Sequence, residues 1–456
     1  MPLHRLPADR RGGARGRGAH AGPHLIARGA PSTLTALRHR EFRLLWFGNL
    51  LSNTAWWMQM FGLGWLAVEL AVDDGDVGRA PLYIGLVGLA RAMPAIALAL
   101  VAGAVVDRSD RRRVMLLSQG TSMALTAGLA VLAATGHASI GLVMLFTALI
   151  GLSTSFDGPA RQSMLSIIVP PRDIMSAVGL QSVASHGTGI VGPAIAGILI
   201  GPVGVGGLLF ANAFGYLPVM LAVRLMAPMP PVSKTASEGL VTDVREGLRY
   251  IAHDPVVRWT FVVGMSLSFL ARPYLNLLPA FVANHLMMGP SSLSLLLTVN
   301  GVGALGGAIA VASVSAVARR GALLLGAATM TGACVIVLGL QNDLVGAAAA
   351  ATVAGTSVLL YMGVQSTILQ TTTPDALLGR VMSAQMIMWM GAMPLGQLVL
   401  GAIGSFVGIE LVYVAGGAAA TMVALLALRF AGPLRRLNAS RAAPLDVGAG
   451  EIAVAR

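Results

Sequence analysis

Charge and cysteine are the two features of which this chain has least. Only 11% of its 456 residues are charged, whereas a soluble protein carries about a quarter. This composition excludes a soluble globular protein. A single cysteine, Cys334, excludes an internal disulfide and carries no information about redox compartment.

Long apolar runs take the place of the missing charge, because 55% of the residues are hydrophobic. About 20 apolar residues span a bilayer as a helix. Runs of this kind occur at 43–71, 82–106, 114–134, 138–157, 176–200, 204–226, 257–283, 291–316, 321–341, 344–369, 380–404 and 407–430. They predict an all-α membrane protein with twelve transmembrane helices.

Polar segments divide these runs into two groups of six. We therefore predict five regions: a disordered Arg/Gly-rich tail (1–40), an N-terminal six-helix bundle (41–226), a partly helical linker (227–256), a C-terminal six-helix bundle (257–430) and a second tail (431–456). An even number of spans places both tails on the same side of the membrane.

The basic excess, a net charge of +12, follows membrane topology. By our placement of the spans, 28 of the 31 Lys and Arg residues fall on one side. Cytoplasmic segments carry such an excess. We therefore expect a multi-pass protein of a bacterial plasma membrane with both termini in the cytoplasm, and no nucleic-acid partner.

Motifs for enzymatic chemistry are missing from the sequence. There is no Gly-Lys-Ser/Thr phosphate loop and no His-Glu-x-x-His zinc helix. We predict that the chain is not an enzyme, holds no metal or cofactor, and is not driven directly by ATP.

The two halves repeat each other around matching connections. Residues 161–177 contain a proline, an aspartate and Ser-Ala in the same order as residues 365–384. Each segment leads into a run with an internal proline, Pro193 and Pro394. Two parallel repeats are a known transporter architecture, with the substrate site near the midplane between them.

Residues 103–113 read Gly-Ala-Val-Val-Asp-Arg-Ser-Asp-Arg-Arg-Arg and resemble the loop between the second and third helices of the major facilitator superfamily. Asp110 stands where that pattern usually has glycine. The segments Pro159-Ala-Arg161 and Gly379-Arg380-Val-Met382 resemble the branch that contains enterobactin-type siderophore exporters and macrolide or tetracycline pumps. The resemblance covers roughly residues 40–430.

This resemblance implies a conformational gate on the side that carries the arginine turn. In such a gate Asp107 accepts hydrogen bonds from the start of the eleventh helix, and Asp157 pairs with Arg108 or Arg111. The candidate gate residues are Gly103, Asp107, Arg108, Arg111, Asp157 and Arg380. The alternative is that the basic residues only fix topology.

The fifth run resembles a helix motif associated with exporters. Its small residues allow close helix approach, and its proline removes a backbone donor. The motif residues are Gly189, Gly192, Pro193 and Gly197. Ordinary glycine-rich packing is the alternative interpretation.

Charged and polar residues inside the runs are the candidates for substrate binding or ion coupling. Arg91 and Arg272 favour an anionic or carbonyl-rich ligand, or else form structural pairs with Glu69 or helix-end carbonyls. The remaining candidates, which either serve the substrate or join helices, are His186, Glu69, Gln59, Asn53, Asn276 and Tyr274. No carboxylate is expected at the midplane.

Together these features predict a monomeric secondary exporter of small organic molecules that works by alternating access as a proton-coupled antiporter. Its expected partners are a small-molecule substrate and the lipid bilayer. Two alternatives stay open: a transporter-like sensor or scaffold that moves nothing, and an importer of the same fold.

Overall fold

The computed structural model describes residues 34–227, 240–314 and 319–437, and every regular element in these ranges is helical. Most of the predicted basic tail lies outside the described residues. The α-helices are α1 (Arg40–Asp73), α2 (Ala80–Arg108), α3 (Arg111–Ala134), α4 (Ile140–Thr154), α5 (Asp157–Ile168), α6 (Ile174–Phe214), α7 (Leu217–Arg224), α8 (Leu240–His253), α9 (Pro255–Ser266), α10 (Tyr274–Ala280), α11 (Pro290–Val314), α12 (Arg320–Gly339), α13 (Leu344–Thr372), α14 (Asp375–Val407), α15 (Ile409–Phe430) and α16 (Gly432–Arg435).

These helices make twelve crossings in two six-helix bundles, which confirms the predicted fold. The fourth crossing is α4 with α5, and the seventh joins α9 and α10 through two π-helical turns. The segment Ser176–Arg224 is 49 residues long and crosses twice, because Gly204 takes a left-handed φ of 66° and reverses the chain. The two predicted runs at 176–200 and 204–226 are thus recovered.

Short polar side chains cap several crossings where they meet the loops. Asp110 accepts from the backbone N–H of Arg112 at the start of α3, at 2.9 Å. Asp254 and Asp343 cap α9 and α13 in the same way. Such caps satisfy backbone donors that have no partner within the helix. They fix where each helix begins.

Two faces of the bundle can be distinguished by their loops. The arginine face is the end that carries the turn Arg108–Arg113 between α2 and α3, and the opposite face is the other end. Exposed apolar side chains, including Ile198 and Phe406, cover the flanks between them. This surface suits contact with lipid chains.

Among the described residues, the hydrophobic core joins the two halves only on one side. Phe61 and Leu66 of α1 share a cluster with Leu277 and Phe281 of the seventh crossing. The N-half residues in this cluster all lie between mid-depth and the opposite face. Near the arginine face, the N half packs into its own clusters, one of them around Leu45. The halves are therefore held together at the opposite face.

Helix α8 lies within the predicted linker, of which residues 228–239 fall outside the described residues. Ile251 of α8 packs with Val257, Leu369 and Val381. All three partners belong to the C half. Helix α8 is therefore packed as part of that half.

Candidate functional site

The first part of the seam between the halves is formed by the fifth-crossing motif. A Cβ atom added to Gly192 would lie 2.5 Å from Trp57 Cβ of the same half. A Cβ on Gly197 would overlap Ser294 Oγ of the other half. The motif glycines thus let α6 pack closely on α1 and α11.

Pro193 contributes to the same seam through the backbone. Proline has no N–H to donate to the carbonyl four residues earlier, which is that of Gly189. That carbonyl oxygen lies 2.7 Å from where a Cβ of Gly301 would stand. Ser294 Oγ donates to the Pro193 carbonyl at 2.8 Å. Close backbone contact therefore reaches mid-depth between α6 and α11.

The second part of the seam is a polar contact that we call the Gln397 clasp, formed by Gln397, Asn276 and the Ile84 carbonyl. Gln397 is 4% exposed, and its Nε2 donates to the Ile84 carbonyl at 2.8 Å. Asn276 Nδ2 donates to Gln397 Oε1 at 2.7 Å. A Cβ on Gly88 would stand 2.5 Å from Gln397 Nε2. The clasp therefore ties α2 to α14 and the seventh crossing.

Further contacts close the seam at the opposite face. A Cβ on Gly64 would lie 2.7 Å from Pro279 Cγ. Asn284 Nδ2 donates to the Val77 carbonyl at 2.9 Å. Within the described ranges, no hydrogen bond joins the two bundles between mid-depth and the arginine face. Among the described residues, the hydrogen bonds of the seam therefore lie on one side only.

The arginine turn anchors the N half at the arginine face. Arg111 is 3% exposed, and its Nε donates to Ser163 Oγ of α5 at 2.9 Å. Arg112 donates to the carbonyls of Val223 and Arg224, the last residues of α7. A cation there complements the helix dipole. Arg112 thus holds the end of α7 in addition to any effect on topology. This contact was not predicted from the sequence.

Other gate candidates differ in what the structure shows of them. The Arg108 side chain is exposed. Gly103 and Asp107 lie in α2, but the surroundings of Gly103 and the side chain of Asp107 are not among the described parts of the chain. The gate between Asp107 and α14 thus stays a prediction.

Asp157 has a different partner from the one the sequence suggested. Its Oδ2 accepts from Arg161 Nη2 at 2.8 Å and its Oδ1 from Gln119 Nε2 at 2.7 Å. Arg161 also donates to Asn49 Oδ1 of α1. The expected pairing with Arg108 or Arg111 is wrong because the i to i+4 spacing places Arg161 on the same face of α5. That spacing was the signal that could have identified Arg161.

Arg380 pairs with the linker helix at the start of α14. Its Nη1 forms an ion pair with Glu246 Oε2 of α8. Tyr250 donates its hydroxyl to the Thr372 carbonyl at 3.3 Å. These contacts hold α8 against the C half at the arginine face.

The N-terminal end of α1 is fastened to the fifth crossing. His39 Nε2 donates to Asp173 Oδ2 at 2.9 Å. This hydrogen bond is the main reason why the pKa of Asp173 lies below its usual value. Ala36 N–H donates to Ser176 Oγ nearby.

The two deep arginines have no carboxylate partner within the described residues. Arg91 Cζ lies 5.4 Å from the ring centroid of Trp56, a cation–π contact. Arg272 has a buried Nη1 atom with no hydrogen-bond partner in the described part of the chain. Glu69 is exposed near the opposite face and pairs with neither. The structural pairing of either arginine with Glu69 is therefore wrong.

The polar cavity candidates divide into helix-joining and unassigned residues. Gln59 is fully buried, with Nε2 donating to Thr126 Oγ1 at 3.0 Å. The Tyr274 hydroxyl accepts from Asn300 Nδ2. Asn53 is half-buried, and the His186 side chain lies outside the described residues. Gln59 and Tyr274 thus join helices, as does Asn276 in the Gln397 clasp.

Metal binding has no support in the described ranges, where no group of three or more His, Cys, Asp or Glu side chains could hold an ion.

Twelve helical crossings in two bundles that meet along a glycine-rich seam define a membrane transporter of the major facilitator fold. The family described as "Transmembrane secretion effector" matches residues 31–453, and the chain belongs to this family of the major facilitator superfamily. It is therefore a multi-pass membrane transporter and not an enzyme.

Relatives and solved structures agree with this assignment. The chain is 26% identical over 394 residues to the multidrug efflux pump Tap of Mycolicibacterium fortuitum, covering 84% of this chain and 93% of that one. It is 24% identical over 405 residues to the enterobactin exporter EntS of Citrobacter koseri, with 88% and 94% covered. A D-xylose–proton symporter structure superposes with a TM-score of 0.67 at 13% identity, covering 88% of this chain and 98% of that one.

A second solved structure shares the fold. A bacterial homologue of the human lysosomal transporter Spinster, described as inward-facing and unoccupied, superposes with a TM-score of 0.61 at 14% identity. The match covers 87% of this chain and 96% of that one. At this identity it supports the fold alone.

Proposed function

We propose that this protein is a secondary active exporter of small organic molecules and works by alternating access. The observation that carries the proposal is the one-sided seam. Among the described residues, the hydrogen bonds and the close glycine approaches between the halves all lie between the Gly189–Gly301 approach and the opposite face. Such a structure exposes a central site to one side of the membrane at a time.

The arginine face is the cytoplasmic face in this proposal, because of its basic excess. Both termini then lie in the cytoplasm of a bacterium, and the protein acts as a monomer in the plasma membrane. The structure corresponds to the state in which the exporter takes up its substrate.

Closure of the arginine face completes the cycle. In the closed state, the Asp107 carboxylate accepts from the free N–H groups that begin α14, where the helix dipole favours negative charge. Opening of the Gln397 clasp and of the α6–α11 contact then releases the substrate outward.

A proton gradient drives this cycle in our proposal. The sequence has no phosphate loop, so ATP does not act directly. The groups that can carry the proton are Glu69, Asp157 and His186. The named activities of Tap and EntS support a drug-like or siderophore-like molecule as the substrate.

Dye transport in everted membrane vesicles tests the proposal. We expect at least one dye from a panel of anionic, cationic and neutral fluorophores to accumulate in vesicles that contain the protein, and an uncoupler to abolish the accumulation. Asp107→Asn should also abolish it, whereas Asp76→Asn, an exposed aspartate at the opposite face, should not.

The alternatives give different results. A sensor or scaffold would move no dye from a panel of charged and neutral substrates, and Asp107→Asn would leave its function intact. An importer would drive net movement out of everted vesicles. Accumulation that persists with the uncoupler would refute proton coupling.

A further inference from the structure

Arg272 stands at an irregular point of the seventh crossing. The π-helical turn Leu267–Ala271 ends directly before it, and the Arg272 N–H donates to the Leu267 carbonyl five residues earlier, at 2.8 Å. π-turns within α-helices occur frequently at functional sites. The turn therefore places this guanidinium at mid-depth in the C half by an unusual backbone geometry.

The charge of Arg272 is not compensated by the described residues. Its Nη1 atom is buried without a hydrogen-bond partner there, and its electrostatic neighbours are the hydroxyls of Tyr274 and Tyr361. Described carboxylates of the C half, such as Asp254, Asp343 and Glu410, stand at helix ends. A guanidinium does not deprotonate in proteins, and an unpaired charge at this depth is costly. The site therefore favours an anion.

Other buried polar atoms of the C half also lack hydrogen-bond partners among the described residues. Three further side-chain atoms are buried and make no hydrogen bond to the described residues: Ser268 Oγ, Asn276 Oδ1 and the Tyr361 hydroxyl. Ser268 and Asn276 lie about one helical turn before and after Arg272 on the same crossing. Buried polar atoms of native proteins nearly always have partners. Their chemistry suits a ligand with anionic oxygens and a hydroxyl or N–H group of its own.

We propose that Arg272 binds an anionic oxygen group, a carboxylate or a phenolate, of the exported molecule. The Tyr361 hydroxyl donates a second hydrogen bond to that group, and Asn276 Oδ1 accepts one from the ligand. This inference rests on the proposed export function, because it assigns the site to the transported molecule. The same Asn276 belongs to the Gln397 clasp, so the ligand contacts the seam that must open.

Binding to the purified full-length chain in nanodiscs tests the inference without transport. The probes are salicylate and its neutral amide, salicylamide, which have nearly the same shape and differ in charge. Inorganic phosphate is the third probe. Binding is followed by tryptophan fluorescence and by the melting temperature of the protein.

We expect salicylate to bind at least tenfold more tightly than salicylamide or phosphate, which corresponds to about 1.4 kcal/mol. Arg272→Gln should remove this preference. Arg272→Lys should keep part of it, because lysine retains the charge and loses the planar fork. The control is Arg258→Gln, an exposed arginine at the start of the same crossing, which should bind as the unmodified protein does.

Equal binding of salicylate and salicylamide would overturn the inference and indicate that water satisfies these atoms. Phosphate binding as tight as salicylate would indicate a site for small anions instead of an organic substrate. If Arg272→Gln does not fold, Arg272→Lys decides, since an unchanged preference for salicylate over salicylamide would show that the planar guanidinium group of Arg272 does not contact the ligand. If no dye is transported but the protein still prefers salicylate to salicylamide, the proposed export function is refuted and the anion site at Arg272 is not.

Discussion

The contact between Gly301 and Gly189 offers the sharpest test of the seam. In Gly301→Ala, the new methyl group would lie 2.7 Å from the Gly189 carbonyl oxygen and 3.0 Å from Ile190 Cγ1. Ordinary contact begins at 3.4 Å, and the nearest atom belongs to the backbone. Helices α6 and α11 must therefore separate by several tenths of an ångström.

The cost of this separation follows from the behaviour of overpacked cores. One extra methyl group in a tight contact costs about 1–3 kcal/mol. The contact belongs to the state that is open at the arginine face, so the cost falls on that state alone. A difference of this size changes the ratio of the two states by about 5- to 150-fold in favour of the state closed at the arginine face.

Pulsed electron paramagnetic resonance measures this ratio directly. Spin labels are attached at Arg113→Cys in the N half and Arg319→Cys in the C half, in a Cys334→Ser background. Both positions are exposed at the arginine face. We expect Gly301→Ala to increase the fraction with the shorter distance.

Gly326→Ala is the matched control, because a Cβ at Gly326 of α12 meets no atom within 4 Å. It should leave the distance distribution unchanged. If Gly301→Ala gives the same distance distribution as the control, the Gly189–Gly301 contact is not one that breaks when the arginine face closes.

Three further predictions concern other contacts. Gln397→Ala leaves the Asn276 amide without its partner at a cost of about 1–3 kcal/mol, and the distance between spin labels at His137→Cys and Val345→Cys, across the opposite face, should lengthen. Asp157→Asn removes the charge that faces Arg161, so the melting temperature should fall, measured by differential scanning fluorimetry. The lowered pKa of Asp173 stabilises the fold above the unfolded-state pKa of an aspartate, and this contribution is lost as pH falls through the folded-state pKa. Asp173→Asn should therefore reduce the acid dependence of the melting temperature; an unchanged profile would exclude this contribution.

The crossings could be predicted from the sequence because hydropathy reports local composition. The predicted run 82–106 lies within α2 (Ala80–Arg108), and the run 114–134 lies within α3 (Arg111–Ala134). Irregular features were missed for the same reason. The π-turn before Arg272 and the break between α4 and α5 do not alter hydropathy.

Side-chain partners could be predicted only where the spacing within one helix fixes them. The pairing of Asp157 with Arg161 has such a spacing, and it replaces the predicted pairing with the arginine turn. The Gln397 clasp has no local signal, because Gln397 and Ile84 are 313 positions apart. Which helix faces meet across the seam depends on the packing of both bundles, and a single sequence does not encode that in any short pattern.

The most direct test of alternating access is to follow both faces of the protein at once in liposomes. One label pair reports the arginine face (Arg113→Cys and Arg319→Cys) and a second pair reports the opposite face (His137→Cys and Val345→Cys), all at exposed positions. When a proton gradient is imposed, we predict that the first distance shortens in the same fraction of molecules in which the second lengthens. Two distances that stay constant, or that change in the same direction, would contradict the account.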